Sequence, residues 1–404
     1  MPRFSPFVGW RYDPARFAPA DVTAPPYDVL SAADRAALVA REPHNAVLVD
    51  LPAEEEGADR YQRAGDRLRA WVAEGVLVAD PAPELTAYRM TTVDDLGRPV
   101  ATLGVMGALE LSRPGEGQIL PHEHTTPKAK SDRLDLLRGT AANLSPIWGL
   151  SLSTGLTGLL DVSGRPYQSW HDEDGTLHET WRITDASAIA AIGEAVAATP
   201  VVIADGHHRY ETSLAYRDER RADDGGDAGG AEATLCYVVE LTEEQLTVRP
   251  IHRLVHGFAD GDLPALLAAE PGASQVGTAT PEEVTDGRVL TAMDAHEAVA
   301  VVGADGGATL VHLDPASYPG TDDLDSARLA AALQRLGTHE LTYQHGTDRA
   351  QEAVRSGRAP WAVLIRPVTV AAIEANAHTG ERMPPKSTFF FPKLRTGIVF
   401  RPLA

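Results

Sequence analysis

Apolar residues recur along this chain in two rhythms, one suited to helices and one to strands, and the two alternate from end to end. Tyr61, Leu68, Trp71 and Val72 share a helical face and predict a helix over 57–76; the pattern over 131–141 reads the same way. An alanine-rich helix is expected over 185–198, with further helices over 324–336 and 348–357. Short apolar runs predict strands at 85–91, 99–111, 147–152, 233–242 and 361–365, while 281–313 alternates short elements. Proline and turn residues dominate 1–30, and glycines close the charged stretch 217–232, whose end reads as a mobile loop. No internal repeat is visible. The alternation predicts an α/β or mixed α+β architecture.

One apolar run ends in chemistry. Val201-Val202-Ile203-Ala204 leads directly into Asp205-Gly206-His207-His208-Arg209-Tyr210, and Glu211 to Tyr216 then reads as helix. Strand, tight turn and helix, with the polar groups at the turn, is where α/β proteins hold phosphates: glycine allows close backbone approach, and helical N–H groups and arginine favour negative charge. A buried His-His pair can simply satisfy carbonyls. An acid, two imidazoles and a guanidinium together would each need a partner if buried, which favours a functional reading.

With 404 residues and 43% hydrophobic positions the chain has material for two or three units with substantial cores. Lys+Arg of 36 against Asp+Glu of 57 gives a formal charge of −21, which argues against duplex DNA as a partner. One cysteine, Cys236, excludes an internal disulfide and sits in an apolar run as a core thiol would. The N-terminus has no secretory pattern and no stretch is apolar enough for a membrane span, so a cytoplasmic protein without a membrane partner is expected.

Two further clusters could complete a site. Pro121-His122-Glu123-His124 offers a carboxylate between two imidazoles, able to act as general base, with Lys128, Lys130 and Arg133 as cations behind it. The segment Met383-Pro384-Pro385-Lys386-Ser387-Thr388 offers a lysine and two hydroxyls for a carboxylate or phosphate, and Phe389-Phe390-Phe391-Pro392-Lys393 continues it. Arg249-Pro250-Ile251-His252-Arg253 reads as structural. Gly380 and Lys386-Ser387 fall at P-loop positions, but Pro385 stands where that loop needs a flexible N–H, so a P-loop is not expected.

The Asp205-Gly206-His207-His208-Arg209 turn after an apolar strand resembles the signature of the ParB/sulfiredoxin superfamily. His207 stands where sulfiredoxins carry their reactive cysteine, so thiol redox chemistry is not implied. The order Pro121-His122-Glu123, then Asp205 to Arg209, then Pro385-Lys386-Ser387-Thr388 resembles the free serine kinases of that superfamily. Ala24-Pro25-Pro26-Tyr27-Asp28-Val29 and Pro384 to Thr388 also resemble hallmarks of the domain-of-unknown-function family ten-fifteen, over nearly the whole chain. These likenesses imply a ParB/sulfiredoxin-like nucleotide-binding core over 111–256, an additional N-terminal α/β region over 1–110, and a C-terminal α/β unit over 257–404 that contributes the Lys-Ser-Thr segment.

The kinase likeness implies transfer of a phosphoryl group from ATP or ADP, with Mg2+, to the hydroxyl of free serine or a similar metabolite. Glu123, Asp205 and His207 would be catalytic, Glu123 as the base and Asp205 as the group that orients the hydroxyl or holds the metal. Gly206, His208, Arg209, His122, Lys128, Lys130 and Arg133 would bind nucleotide and phosphate, and Lys386, Ser387 and Thr388 the substrate. Where the kinases place Arg-His after their paired threonines this chain has Phe389-Phe390, which leaves the acceptor open. Two other readings stand: a nucleotide-dependent switch in the manner of ParB, and a metal-dependent phosphohydrolase using His122, His124, His207 and His208.

Overall fold

The computed structural model describes residues 2–93, 98–113, 115–121, 128–223, 225–258, 261–321, 324–379, 383 and 386–403. The protein is a mixed α/β chain in two compact units, the first formed by 1–94, 99–247 and 392–404 and the second by 95–98 and 248–391.

The first unit is built on a nine-stranded mixed sheet. Its path runs Ile119–Pro121, Val201–Asp205, Ile147–Ser151, Ala233–Glu240, Pro99–Glu110, Leu85–Val93, Leu177–Ile183 and Gln168–His171, with Phe4–Ser5 added against Pro99–Glu110. Two neighbouring pairs are parallel, Ile119–Pro121 with Val201–Asp205 and Ile147–Ser151 with Ala233–Glu240; the others are antiparallel. The central strands are buried along their length, which is why they read as continuous apolar runs. Phe4, Leu85, Val105, Val201, Ile203, Tyr210, Cys236 and Val238 pack in one core, and burial pushes the Cys236 thiol up. Leu68, Trp71, Leu136 and Phe400 share a second.

The expected boundary at 110 divides nothing, because strands 85–93 and 99–110 hydrogen-bond into the same sheet as 147–151 and 233–240. Likewise the last residues, 392–404, return to the first unit, where Arg401–Pro402 pairs with Ala142–Asn143.

Two helical expectations shift. The helix after Val201–Asp205 begins at His207, not after Tyr210, and runs to Asp223. The front of the 217–232 stretch is therefore helix, pinned where buried Arg217 Nη1 donates to the Leu111 carbonyl at 2.7 Å. The 185–198 helix is Ala186–Ala197, started by Asp185, whose carboxylate accepts from the Ala188 N–H at 2.9 Å.

In the second unit six antiparallel strands order as Ala273–Ala279, Ala308–Leu313, Ala298–Val302, Trp361–Leu364, His252–His256 and Glu340–Gln344. Leu263, Leu267, Leu329 and Leu333 cover one face and Val284, Met293, Ala350 and Val354 the other. The 281–313 stretch resolves into helices Pro281–Thr285 and Val289–His296 and strands Ala298–Val302 and Ala308–Leu313. His252 is buried as a structural residue, its Nδ1 accepting from the Ile365 N–H at 3.3 Å.

Candidate active site

The site is assembled in the first unit at the carboxyl end of Val201–Asp205. Val201, Val202 and Ile203 are fully buried, and the register against Ile147–Ser151 slips between Ile203 and Asp205. Such a slip re-aims the last side chain of a strand. Gly206 follows at φ +89°, a left-handed conformation, and its carbonyl accepts the Tyr210 N–H at 2.9 Å as the helix begins. His207, His208 and Arg209 thus occupy the first turn of a 17-residue helix, both histidines half-buried.

Asp205 is held by two cations. Lys393 Nζ donates to Oδ1 at 3.1 Å and Arg209 Nη2 to Oδ2 at 3.1 Å, while Arg209 Nη1 donates to the Pro146 carbonyl. Burial alone would push the carboxyl up, but Lys393, Arg209 and His207 outweigh it and hold Asp205 well below the usual carboxylate range. The helix behind it is fixed by Tyr210, whose hydroxyl donates to the Ser112 carbonyl at 2.8 Å and accepts the Ser112 N–H at 3.0 Å.

A second set of groups converges on Arg209. The Ala24–Val29 segment is stitched to the returning C-terminus, Ala24 and Thr396 exchanging backbone hydrogen bonds of 3.0 and 2.8 Å. Tyr27 from that segment lies under the Arg133 guanidinium, 4.1 Å from its carbon to the ring centroid. Arg133 Nη1 donates to the Asp50 carbonyl at 2.7 Å, and its Nε and Nη2 bond Asp132 Oδ2 at 3.1 and 2.9 Å. Asp50, Arg133, Asn143, Arg209 and Thr212 line one cavity of about 50 Å³.

The structure therefore brings Asp205, Gly206 and Arg209 together and places Arg133 with Arg209 on one cavity. Arg133, expected as a phosphate-binding cation at the start of a helix, is buried with carboxylate and carbonyl partners. Lys128 and Lys130 belong to the helix Lys128–Thr140, whose first side chains lie outside the described residues; His122, Glu123 and His124 lie outside them altogether. What is described is the strand before them in the sequence: Ile119–Pro121 runs parallel to Val201–Asp205, with Pro121 opposite Ile203. Lys386, Ser387 and Thr388 belong to the second unit. Ser387 is buried there with its Oγ 3.2 Å from Ser326 Oγ, Thr388 is buried, and Lys386 is exposed at φ +61°.

Sequence reasoning named Lys393 only as the end of the C-terminal segment, with no role at the site, and passed over Asp50. Lys393 carried a signal, a lone cation after Phe391-Pro392, and Asp50 a fainter one, a single acid within Val47-Leu48-Val49-Asp50-Leu51.

The family model described as "Protein of unknown function (DUF1015)" matches residues 4–327. The chain belongs to that family. The matched span includes Tyr27, Asp50, Arg133 and the Asp205 turn, and ends before Lys386 and Lys393. No curated protein matches the chain. Among solved structures, a free serine kinase variant in complex with AMP is similar over 70% of this chain and 88% of its own, at 14% identity and a TM-score of 0.37. A C-terminally truncated SbnI from Staphylococcus aureus covers 74% and 87% at 13% identity and 0.36, and a conserved hypothetical protein from Pyrococcus furiosus 69% and 90% at 14% and 0.34. No helix of this DUF1015 chain is long and apolar enough, among the described residues, to cross a membrane.

Proposed function

We propose that the chain is a nucleotide-dependent phosphotransferase, a kinase that phosphorylates the hydroxyl of a small metabolite, with free serine as the first acceptor to test. The observation that carries this reading is the parallel pairing of Pro121, the residue before His122-Glu123 in the sequence, with Ile203, in the strand that ends in Asp205-Gly206-His207-His208-Arg209. Ligands of α/β sheets bind outside the carboxyl ends of parallel strands, and phosphates bind at helix N-termini. The first turn of His207–Asp223, with Gly206 before it and Lys393 beside it, has the composition of a phosphate cradle.

Phosphoryl transfer asks a protein for alignment and charge neutralisation more than for covalent help. In this reading the backbone at Gly206 with His207 and His208 grips the nucleotide's phosphates, His207 facing the transferring group. Arg209 and Lys393 keep Asp205 ionised, and Asp205 orients the acceptor hydroxyl. Glu123 takes its proton, and the ParB/sulfiredoxin-like assignment of this core is part of the same proposal. Roles for His122, Lys128 and Lys130 toward phosphate, and for Lys386, Ser387 and Thr388 toward the acceptor, rest on motif order.

Each Asp205 oxygen already accepts from a cation, so this reading gives Asp205 the acceptor hydroxyl and leaves magnesium to the nucleotide's own phosphates. No step is assigned to a protein-held metal.

The test incubates the protein with ATP or ADP, magnesium salt and L-serine and follows phosphoserine by mass spectrometry. Wild-type protein should form it, and Glu123→Gln and Asp205→Asn should each slow it by about 10²-fold or more. Undiminished turnover in Glu123→Gln removes the base, and absence of nucleotide binding removes the function.

A further inference from the structure

Asp50 closes the short helix Val47–Asp50 with its side chain 5% exposed. A carboxylate so deeply placed is ordinarily satisfied by several short donors. Here the described residues offer little: Thr396 Oγ1 reaches Oδ2 at 3.4 Å, and Arg133 Nη1 stands 3.6 Å from Oδ1 while donating to the Asp50 carbonyl instead. The groups around it are Arg133 from helix Lys128–Thr140, Arg209 from helix His207–Asp223, Tyr27 and Asp28 from the 27–29 turn, and Thr396 from the C-terminal segment. Burial pushes the Asp50 carboxyl up, more than Arg133 and Arg209 pull it down, and Asp28 adds to the upward push.

A cavity of about 50 Å³ reaches Asp50, with Arg133 and Arg209 in the same lining. Thr212, buried in the same wall, has an Oγ1 without a hydrogen-bond partner among the described residues. Water fits a polar cavity of this size. Arg209 has a second obligation, since it is also the partner of Asp205. Two carboxylates therefore share its positive field, one ionised and directly paired, the other loosely held and next to water-sized space.

We propose that Asp50 is the proton-exchanging group of this site: when a phosphate binds at the first turn of the His207–Asp223 helix, Asp50 takes up one proton from solvent. The inference rests on the phosphate cradle of the proposed function. The added negative charge offsets the arginine field that keeps Asp50 ionised, so the neutral carboxyl becomes the favoured form in the complex. Uptake occurs between the free and bound titration points, and phosphate affinity falls as pH rises through the bound one.

The test titrates the full chain with ADP by calorimetry at mildly acidic pH, in two buffers of different ionisation enthalpy. Wild-type protein should bind ADP with an apparent enthalpy that depends on buffer, corresponding to uptake approaching one proton. Asp50→Asn should bind ADP and lose that share of the uptake, while any protons taken by His207, His208 or ADP itself persist in the variant. Equal uptake in wild type and variant overturns the proposal, as does buffer-independent heat in wild type across the pH series. Should Asp50→Asn not fold, infrared difference spectra of wild-type protein labelled at aspartate carboxyl carbons give the answer. A protonated carboxyl band should appear with ADP, and its absence overturns the proposal. Failure of wild-type protein to bind ADP at all is a different result, since it removes the phosphate cradle before any proton is counted.

Discussion

Gly206 is the residue on which the turn depends. At φ +89° an L side chain is strained, and a Cβ there would lie 3.0 Å from Ile147 Cγ2 and 3.1 Å from Arg209 Cζ. Gly206→Ala should therefore lower stability by about 1–2 kcal/mol from backbone strain, read as a drop in urea midpoint at unchanged slope. The same substitution displaces the guanidinium that holds Asp205, so activity should fall further than stability explains. Lys393→Met tests the other support. It leaves Asp205 with the Arg209 hydrogen bond and the field of His207, and the loss of a charged hydrogen bond should cost about 1.5–3 kcal/mol. A variant with wild-type denaturation would show that Lys393 does not hold Asp205.

At the scale of elements, the helix that carries Arg133 is set by contact between two glycines. Helices Arg60–Ala73 and Lys128–Thr140 meet so closely that a Cβ on Gly139 would fall 2.4 Å from the Tyr61 carbonyl oxygen, and one on Gly65 1.9 Å from the Gly139 oxygen. Both obstacles are backbone and cannot rotate away. Gly139→Ala should cost about 1–3 kcal/mol by forcing the helices apart, checked by chemical denaturation. Most elements were legible in the sequence because their periodicity is strong: 85–93, 147–151, 233–240 and 325–336 stand within two residues of expectation. The start of the helix at His207 was not legible. Histidine and arginine beside Asp-Gly read as turn chemistry, while the partners that hold the helix, Ser112 for Tyr210, Thr234 for Ser213 and Leu111 for Arg217, come from distant strands and loops. The roles of Lys393 and Asp50 were hidden for the same reason, since each acquires its meaning only when the fold brings Lys393 to Asp205 and Asp50 to the cavity it shares with Arg133 and Arg209.

For the whole molecule, each unit contains a buried histidine held neutral, and this sets how the protein meets acid. In the first, His178 is stacked between Trp170 and Tyr88; its Nδ1 is 2.7 Å from the Tyr88 hydroxyl and its Nε2 2.9 Å from Asp172 Oδ2. Burial lowers it, more than Asp172 raises it. In the second, burial, helped by His345 and Arg253, pushes His252 down to about 3. A histidine whose folded value lies below its unfolded one stabilises the fold fully above the unfolded value, about 6.5, and loses that contribution as pH falls toward the folded value. Each such group removes up to about 1.4 kcal/mol per pH unit in that window. Carboxylates held low, Asp205 and Asp325 among them, act in the same direction but only below the ordinary carboxylate range near pH 4. Asp50, whose value is raised, acts oppositely. Thermal stability should therefore begin to fall between pH 6.5 and 5, before carboxylates titrate, and His252→Asn, which keeps an acceptor for the Ile365 N–H, should flatten that early decline. The check is melting temperature against pH for wild type and variant. Parallel curves through this window would mean that neutral His252 contributes nothing to acid sensitivity, and a decline confined to pH below 4 would assign all of it to carboxylates.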